Sequence, residues 1–401
     1  MYDRLGHLGL PIINLDQYGF SNSFAGRAFV QYHGSITTTS AGQEISARLS
    51  EDTRVGDLSG KLIPCGLNNS ASFDKDILAA WWIMRANEAG LTQADTELET
   101  YLSSDVVDVI VSHWIVGLNP SKSMALGDGY DLFLLEDMPD SDSKERYLQA
   151  INKWNRLDGS IPRAAICKIV SIPKIKIEYG GKLVYNNIYI FEEMLQFIRL
   201  FNCLPGAICL PWIQTSHLPV SVPTGLLGTS DLRWPYSDFS FQKVVDIPNL
   251  DSSMMQKLIT GFRALDEKWY KRVSMALDRF ALAKATKNIQ SSALDLGISL
   301  EMILLAGEGE KSQIRQKFSL RGSWLIGNDG VERLHLFKSF QRIYDDRSSV
   351  AHDGFSDSLQ KKISAGDKAY LEENFTLAER VFCKIIVDGP PLSWDALVLD
   401  A

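Results

Sequence analysis

The sequence predicts an α+β protein in two parts: a mixed α/β domain over residues 1–245, then an all-α helical bundle over 246–401. Three observations predict it. From residue 251 onward apolar residues recur at three- and four-residue spacing, with short links between segments. Before residue 200, strand-like alternation and helical spacing are interleaved. Between the two lies a stretch holding Pro205, Pro211, Pro219, Pro223, Pro235 and Pro248, six of the chain's 14 prolines, which reads as an extended, irregular connection. A length of 401 residues suits two or three cores.

In the front part, Arg27–His33 and Glu44–Leu49 read as strands between turn-rich segments. Asp74–Ala89 reads as a helix that begins on a capping Asp and stops before Gly90. Ser104–Val116 is apolar all round and reads as a buried helix ending at Gly117. Asp142–Leu157 places Tyr147, Leu148, Ile151, Trp154 and Leu157 on one helical face. Lys174–Tyr179 and Lys182–Asn187 alternate around Gly180-Gly181, a hairpin signature. Phe191–Phe201 reads as a helix. The carboxylates Asp128, Asp131, Glu136, Asp137, Asp140 and Asp142 could gather round a magnesium ion, or simply form a solvated turn beside a strand at Asp131–Leu135. His113, beside Trp114 in an apolar segment, reads as a satisfied buried histidine. No phosphate-binding glycine loop of the P-loop or dinucleotide type occurs.

The back part reads as helices throughout. Met255, Leu258, Phe262 and Leu265 follow the capping residues Asp251 and Ser252. Trp269, Val273, Ala276 and Phe280 form the stripe of a helix at Lys268–Lys284. Ile289–Leu305, Lys311–Ile326, Glu332–His352 and Ala369–Ile386 follow, the last closing before Gly389-Pro390-Pro391.

Composition narrows the function classes. With 45% hydrophobic and 22% charged residues, the chain is an ordinary globular one. No run approaches the roughly 20 uncharged residues that a membrane helix needs. The first residues carry no signal-peptide pattern, so a cytoplasmic protein with no membrane partner is expected. Cys65, Cys167, Cys203, Cys209 and Cys383 are scattered and never form C-x-x-C, which suggests neither a disulfide framework nor a zinc site and suits a reducing compartment. The whole net charge of −8 falls before residue 251; the helical back is balanced and mildly basic over 257–347.

The candidate chemistry lies at the end of the fifth helix of the back, in FQRIYDDRSSVAHDG over residues 340–354. Leu336 or Phe337, Phe340, Ile343, Tyr344, Val350 and Ala351 gather on one face, with Arg347 in its middle. A guanidinium on an apolar stripe is costly unless it meets an anion. Glu301 is equally misplaced on the stripe of Leu294, Ile298, Leu304 and Leu305, so the two are expected to pair across the bundle. His352 lies about 140° round from Arg347, near the helix end at Gly354, where the helix dipole favours an imidazolium. Arg27 and His33 stand at a similar spacing, with five residues between them rather than four, but in a strand-like run.

Together, the helical bundle, Leu300-Glu301 in an apolar helix, Arg321 within FSLRGSWLI, and YDDRSSVAHDG resemble a HEPN domain of the Apea-like group over roughly residues 268–387. RNA-cutting members carry an Arg-x4–6-His motif, matched by Arg347-Ser-Ser-Val-Ala-His352. Many of those members have Asn, Asp or His directly after the Arg; this chain has Ser348, whose hydroxyl can also bond a phosphate. The resemblance implies an endoribonuclease without metal or cofactor, with two Arg/His pairs meeting across a homodimer. His352 would move the proton of the RNA 2′-hydroxyl and Arg347 would steady the scissile phosphate, with Glu301, Tyr344, Asp346 and Ser348 in support. It further implies anti-phage defence or toxin-like RNA cleavage in a prokaryote. A phage-derived trigger or an antitoxin would then be a partner, and the front domain would act as regulator. The alternative is a non-catalytic HEPN protein that binds RNA or a nucleotide and acts as an interaction or signalling module.

Overall fold

The computed structural model describes residues 36–67, 70–118, 120–141, 144, 162–175, 188–223, 252–286, 288–306, 313–364 and 369–399. Contacts divide them into two compact units. The first takes the described residues up to Trp114, from Lys122 to Phe191, and from Trp212 to 223; the second takes Ile115–Ser121, Glu192–Pro211 and the described residues from 252 on. Two segments of the front thus group with the helical back, a division that no linear boundary near 245 expresses. The strand expected at Arg27–His33, the helix at Asp142–Leu157 and the hairpin round Gly180-Gly181 lie outside the described residues, apart from a few at their ends.

The first unit opens with α1 (Ser40–Ser50), capped by Thr39, whose hydroxyl accepts from Gly42 N. This helix replaces the strand expected at Glu44–Leu49. Ala41, Ile45 and Leu49 are buried one helical turn apart, and the six-residue alternation of EISARL is too short to separate the two periods. After α2 (Thr53–Leu58), β1 (Leu62–Pro64) pairs antiparallel with β2 (Ser70–Ser72). α3 (Lys75–Ala89) begins on Asp74 and stops at Gly90, whose φ of 92° is open to glycine at no steric cost. It buries Trp81 and Trp82, and in α4 (Leu91–Ser103) Asp95 accepts the Trp82 indole N–H at 2.8 Å.

β3 (Val106–Val116) overturns the helix expected at Ser104–Val116. It is followed by β4 (Met124–Gly127), β5 (Tyr130–Leu134), β6 (Ala164–Pro173), α5 (Ile188–Phe201) and β7 (Leu210–His217). The sheet order is β4-β5-β6-β3-β7, so β3 is an inner strand, and every residue from Val109 to Ile115 is buried. A strand covered on both faces shows no alternation, and a short apolar run then has no period that separates it from a buried helix. Its β-branched content (Val106, Val107, Val109, Ile110, Val111, Ile115) decides for the strand. β7 likewise corrects the irregular connection expected from Pro205 onward. Among the described strands it lies at one edge of the sheet and carries Pro211 one residue from its start, where a missing N–H is tolerated. Trp114, Leu135, Met138, Ala165, Cys167 and Ile213 form the core against the sheet.

The second unit is helical: α6 (Ser252–Ala264), α7 (Glu267–Ala285), α8 (Ile289–Leu304), α9 (Ile314–Ile326), α10 (Gly330–Asp353), α11 (Asp357–Ser364), α12 (Ala369–Val387) and α13 (Trp394–Leu399). α11 and α13 are too short to show a period and were not expected. Ring pairs hold the centre, Phe280 against Phe382 at 5.0 Å and Phe318 edge-on to Phe340 at 5.9 Å. Gly322 lets α9 approach α10; a Cβ there would lie 2.7 Å from the Phe340 ring. Lys284, buried in α7, donates to Glu379 of α12 at 2.6 Å and to the carbonyls of Asn202 and Ala207 at 2.6 and 2.7 Å. The turn after α5 is thereby held in this unit.

Candidate functional site

The 24-residue α10 is defined at both ends. Asp329 accepts from the N–H groups of Val331 and Glu332, and Gly354, at φ 76°, ends the helix by donating to Val350 O at 3.0 Å. Leu336, Ser339, Phe340, Ile343, Asp346 and Val350 are its buried face. Arg347 sits within that face and is half-buried, whereas Ala351, expected there, is exposed.

Arg347 crosses to α8 over a glycine. A Cβ at Gly297 would lie 2.4 Å from Arg347 Cβ and 2.5 Å from its Cγ, so only glycine admits the stem. One helical turn on, Glu301 Oε2 accepts from Arg347 Nη2 at 2.7 Å. The structure therefore brings together the two stranded charges, and Arg347 Nε is buried without a hydrogen-bond partner among the described residues. Burial pushes the Glu301 carboxyl above its ordinary value, and the pull of Arg347 does not fully offset it. Glu301 thus takes up a proton at a higher pH than an exposed glutamate would, and its hold on Arg347 loosens on acidification. In a His352→Ala background, RNA binding is expected to tighten from pH 8 to pH 5 and to lose much of that dependence in Glu301→Gln. Equal pH slopes from fluorescence-anisotropy titrations of the two proteins would refute the coupling.

His352 is in the last turn and exposed, and its imidazole makes no hydrogen bond or ion pair among the described residues. Five residues of helix put it about 140° round the axis from Arg347. Arg347 lies on the seam with α8 and His352 on the open side.

The supporting candidates separate by environment. Tyr344 is half-buried with its ring 5.6 Å from Phe318, a packing role. Ser348 is half-buried beside Arg347. Asp346 is 4% exposed and accepts from Ser356 Oγ at 2.7 Å, from Ser358 Oγ at 2.5 Å and from the Tyr370 hydroxyl. Gly297, Ser356, Ser358 and Tyr370 escape sequence reasoning, since nothing local marks a glycine or a hydroxyl whose partner is on another helix. Arg321 is structural: it donates to Leu304 O at 3.0 Å and lies over the Trp394 ring.

In the first unit, His113 is fully buried, but in β3 rather than in a helix. Of the acidic residues that could gather round a magnesium ion, Asp128 occupies a left-handed turn position, Asp137 accepts from Ser123 at 2.6 Å and Asp140 from Lys144 at 3.0 Å. Asp142 lies outside the described residues. Among the described residues, no group of three or more His, Cys, Asp or Glu is arranged to hold a metal ion, and no helix is long and apolar enough to cross a membrane. No protein-family model, no curated protein and no solved structure matches the chain.

Proposed function

We propose that this chain is a metal-independent endoribonuclease of the HEPN type, working as a homodimer through Arg347 and His352. The observation that carries the reading is the asymmetric end of α10. There a guanidinium is held at one edge by Glu301, and an exposed imidazole, unengaged among the described residues, stands five residues on and about 140° round the helix. With the two residues about 140° apart on α10, the reading places the His of one copy near the Arg of another. His352 takes the proton from the RNA 2′-hydroxyl as that oxygen attacks phosphorus and returns a proton to the departing 5′-oxygen. Arg347 balances the charge gathering on the phosphate. The products are a 2′,3′-cyclic phosphate and a 5′-hydroxyl, and DNA, which lacks the 2′-hydroxyl, resists. The first unit then serves as regulator. A role in prokaryotic anti-phage defence or toxin-like RNA cleavage, in the cytoplasm and under a phage-derived trigger or an antitoxin, follows from the same resemblance.

The test is cleavage of an RNA oligonucleotide in EDTA, with a matched oligonucleotide carrying one 2′-deoxy residue at the cut. Cyclic-phosphate product from the first and none from the second is expected. A strict requirement for magnesium, or equal cutting of both, would sink the reading.

A second reading rests on Glu301. If its carboxylate keeps Arg347 permanently engaged, the bundle binds RNA or a nucleotide without cutting it. RNA binding retained in both Arg347→Ala and His352→Ala, with no cleaved product from the wild-type chain under any trigger, favours that reading.

A further inference from the structure

Asp346 is a buried carboxylate with no cation partner among the described residues; neutral hydroxyls alone satisfy it. Such an anion is costly to bury unless its acceptor sites are filled, and hydrogen bonds to a charged acceptor are stronger than those to a neutral one. Three donors converge on it from two other elements. Ser356 and Ser358 stand at the start of α11, and Tyr370 is on α12. Ser356 is fixed twice more: its hydroxyl accepts from Leu359 N at 3.3 Å, capping α11, and its own N–H donates to Gln290 Oε1 at 3.1 Å. Tyr370 packs with Leu359 and Ala293 beneath. Burial and the bond to Asp346 both push the Tyr370 phenol up, so it stays a donor to the carboxylate.

These bonds bear on His352 through the backbone. The segment 350–356 is pinned at one end by Gly354 N donating to Val350 O and at the other by Ser356 on Asp346. Between those anchors the chain has no free length with which to rotate the last turn. Among the described residues His352 has no side-chain partner, so the turn that carries it sets its direction. Asp346 is also the residue directly before Arg347, on the same helix.

We propose that Asp346, held by Ser356, Ser358 and Tyr370, is a positioning residue that fixes where the imidazole of His352 stands relative to Arg347. As a statement about catalysis, this rests on the ribonuclease reading. As a statement about the placement of His352, it does not.

The test uses the full-length chain with histidine labelled for NMR, the His352 signal being assigned by its loss in His352→Gln. Asp346→Asn keeps the shape and removes the charge, and Tyr370→Phe removes one donor and remains available if Asp346→Asn fails to fold. In both, the His352 signal is expected to shift or broaden while the exposed His335 signal stays in place. RNA cleavage is expected to lose on the order of 10- to 100-fold in kcat with KM little changed, the scale of a small misplacement of a reacting group. An unmoved His352 signal in a folded variant, or an unchanged kcat, overturns the proposal. If the wild-type chain cuts no RNA, the ribonuclease reading fails by itself. The NMR arm then decides alone: a moved His352 signal upholds the placement and an unmoved one overturns it.

Discussion

RNA cleavage by the His352→Ala protein is expected to fall by about 10²–10⁴-fold, the usual contribution of a positioned general acid or base. Its thermal midpoint should stay close to that of wild type. His352 is exposed and unbonded, and truncating such a side chain changes stability by about 0.5 kcal/mol or less. Arg347→Ala should behave differently. It also removes the partner of Glu301, whose carboxyl is already pushed up by burial, and leaving a buried polar group unsatisfied costs about 1–3 kcal/mol. The two variants therefore separate chemistry from architecture: both lose cleavage, and only the second loses stability. Adding Glu301→Ala to Arg347→Ala should recover part of the stability and none of the activity. Cleavage rates with calorimetric midpoints on the same preparations check this, and a His352→Ala protein that cuts as fast as wild type would end the ribonuclease reading.

How much of this was readable from the residues depended on whether the signal was local. The cap at Asp74, the stop at Gly90 and the stop at Gly354 are written within one turn of the chain, and each helix end falls where those residues put it. The pairing of Arg347 with Glu301 was also readable, because a lone charge on an apolar stripe of one helix asks for its opposite on another. Gly297 was not. Its sequence neighbours are those of any helix, and only the Arg347 stem lying against it makes a side chain impossible there. Asp346 was named as a supporting residue only through the resemblance; its burial and its bonds to Ser356, Ser358 and Tyr370 were not legible, because nothing in DDR marks partners on other helices. β3 failed for the opposite reason. Its local signal was strong but double-valued, since a strand buried on both faces and a buried helix share one apolar run.

Replacing Lys284 by Met is expected to cost about 3–5 kcal/mol, the scale for removing one partner of a buried ion pair. The Lys284 ammonium has its three protons on three acceptors: Glu379 Oε1, Asn202 O and Ala207 O. Methionine fills a similar volume and meets none of them, so a carboxylate and two carbonyls are stranded at once. Glu379 keeps one further donor, Gly206 N at 3.2 Å, which does not balance its charge. The loss should depend on pH in a definite sense. Burial already pushes Glu379 above the usual carboxylate range against the pull of Lys284, and without Lys284 that opposition is gone. A carboxyl raised in the folded state favours folding below its unfolded value and loses that contribution as pH rises through the folded one. The destabilisation of Lys284→Met should therefore be largest near pH 8 and shrink toward pH 5 as Glu379 takes up its proton. Lys284→Met with Glu379→Gln should be less destabilised than Lys284→Met alone at pH 8 and should lose the pH dependence. Urea midpoints at pH 8 and pH 5 for the three proteins decide it. Equal losses at both pH values would show that the carbonyls of the 202–207 turn, rather than the ion pair, carry the stabilisation.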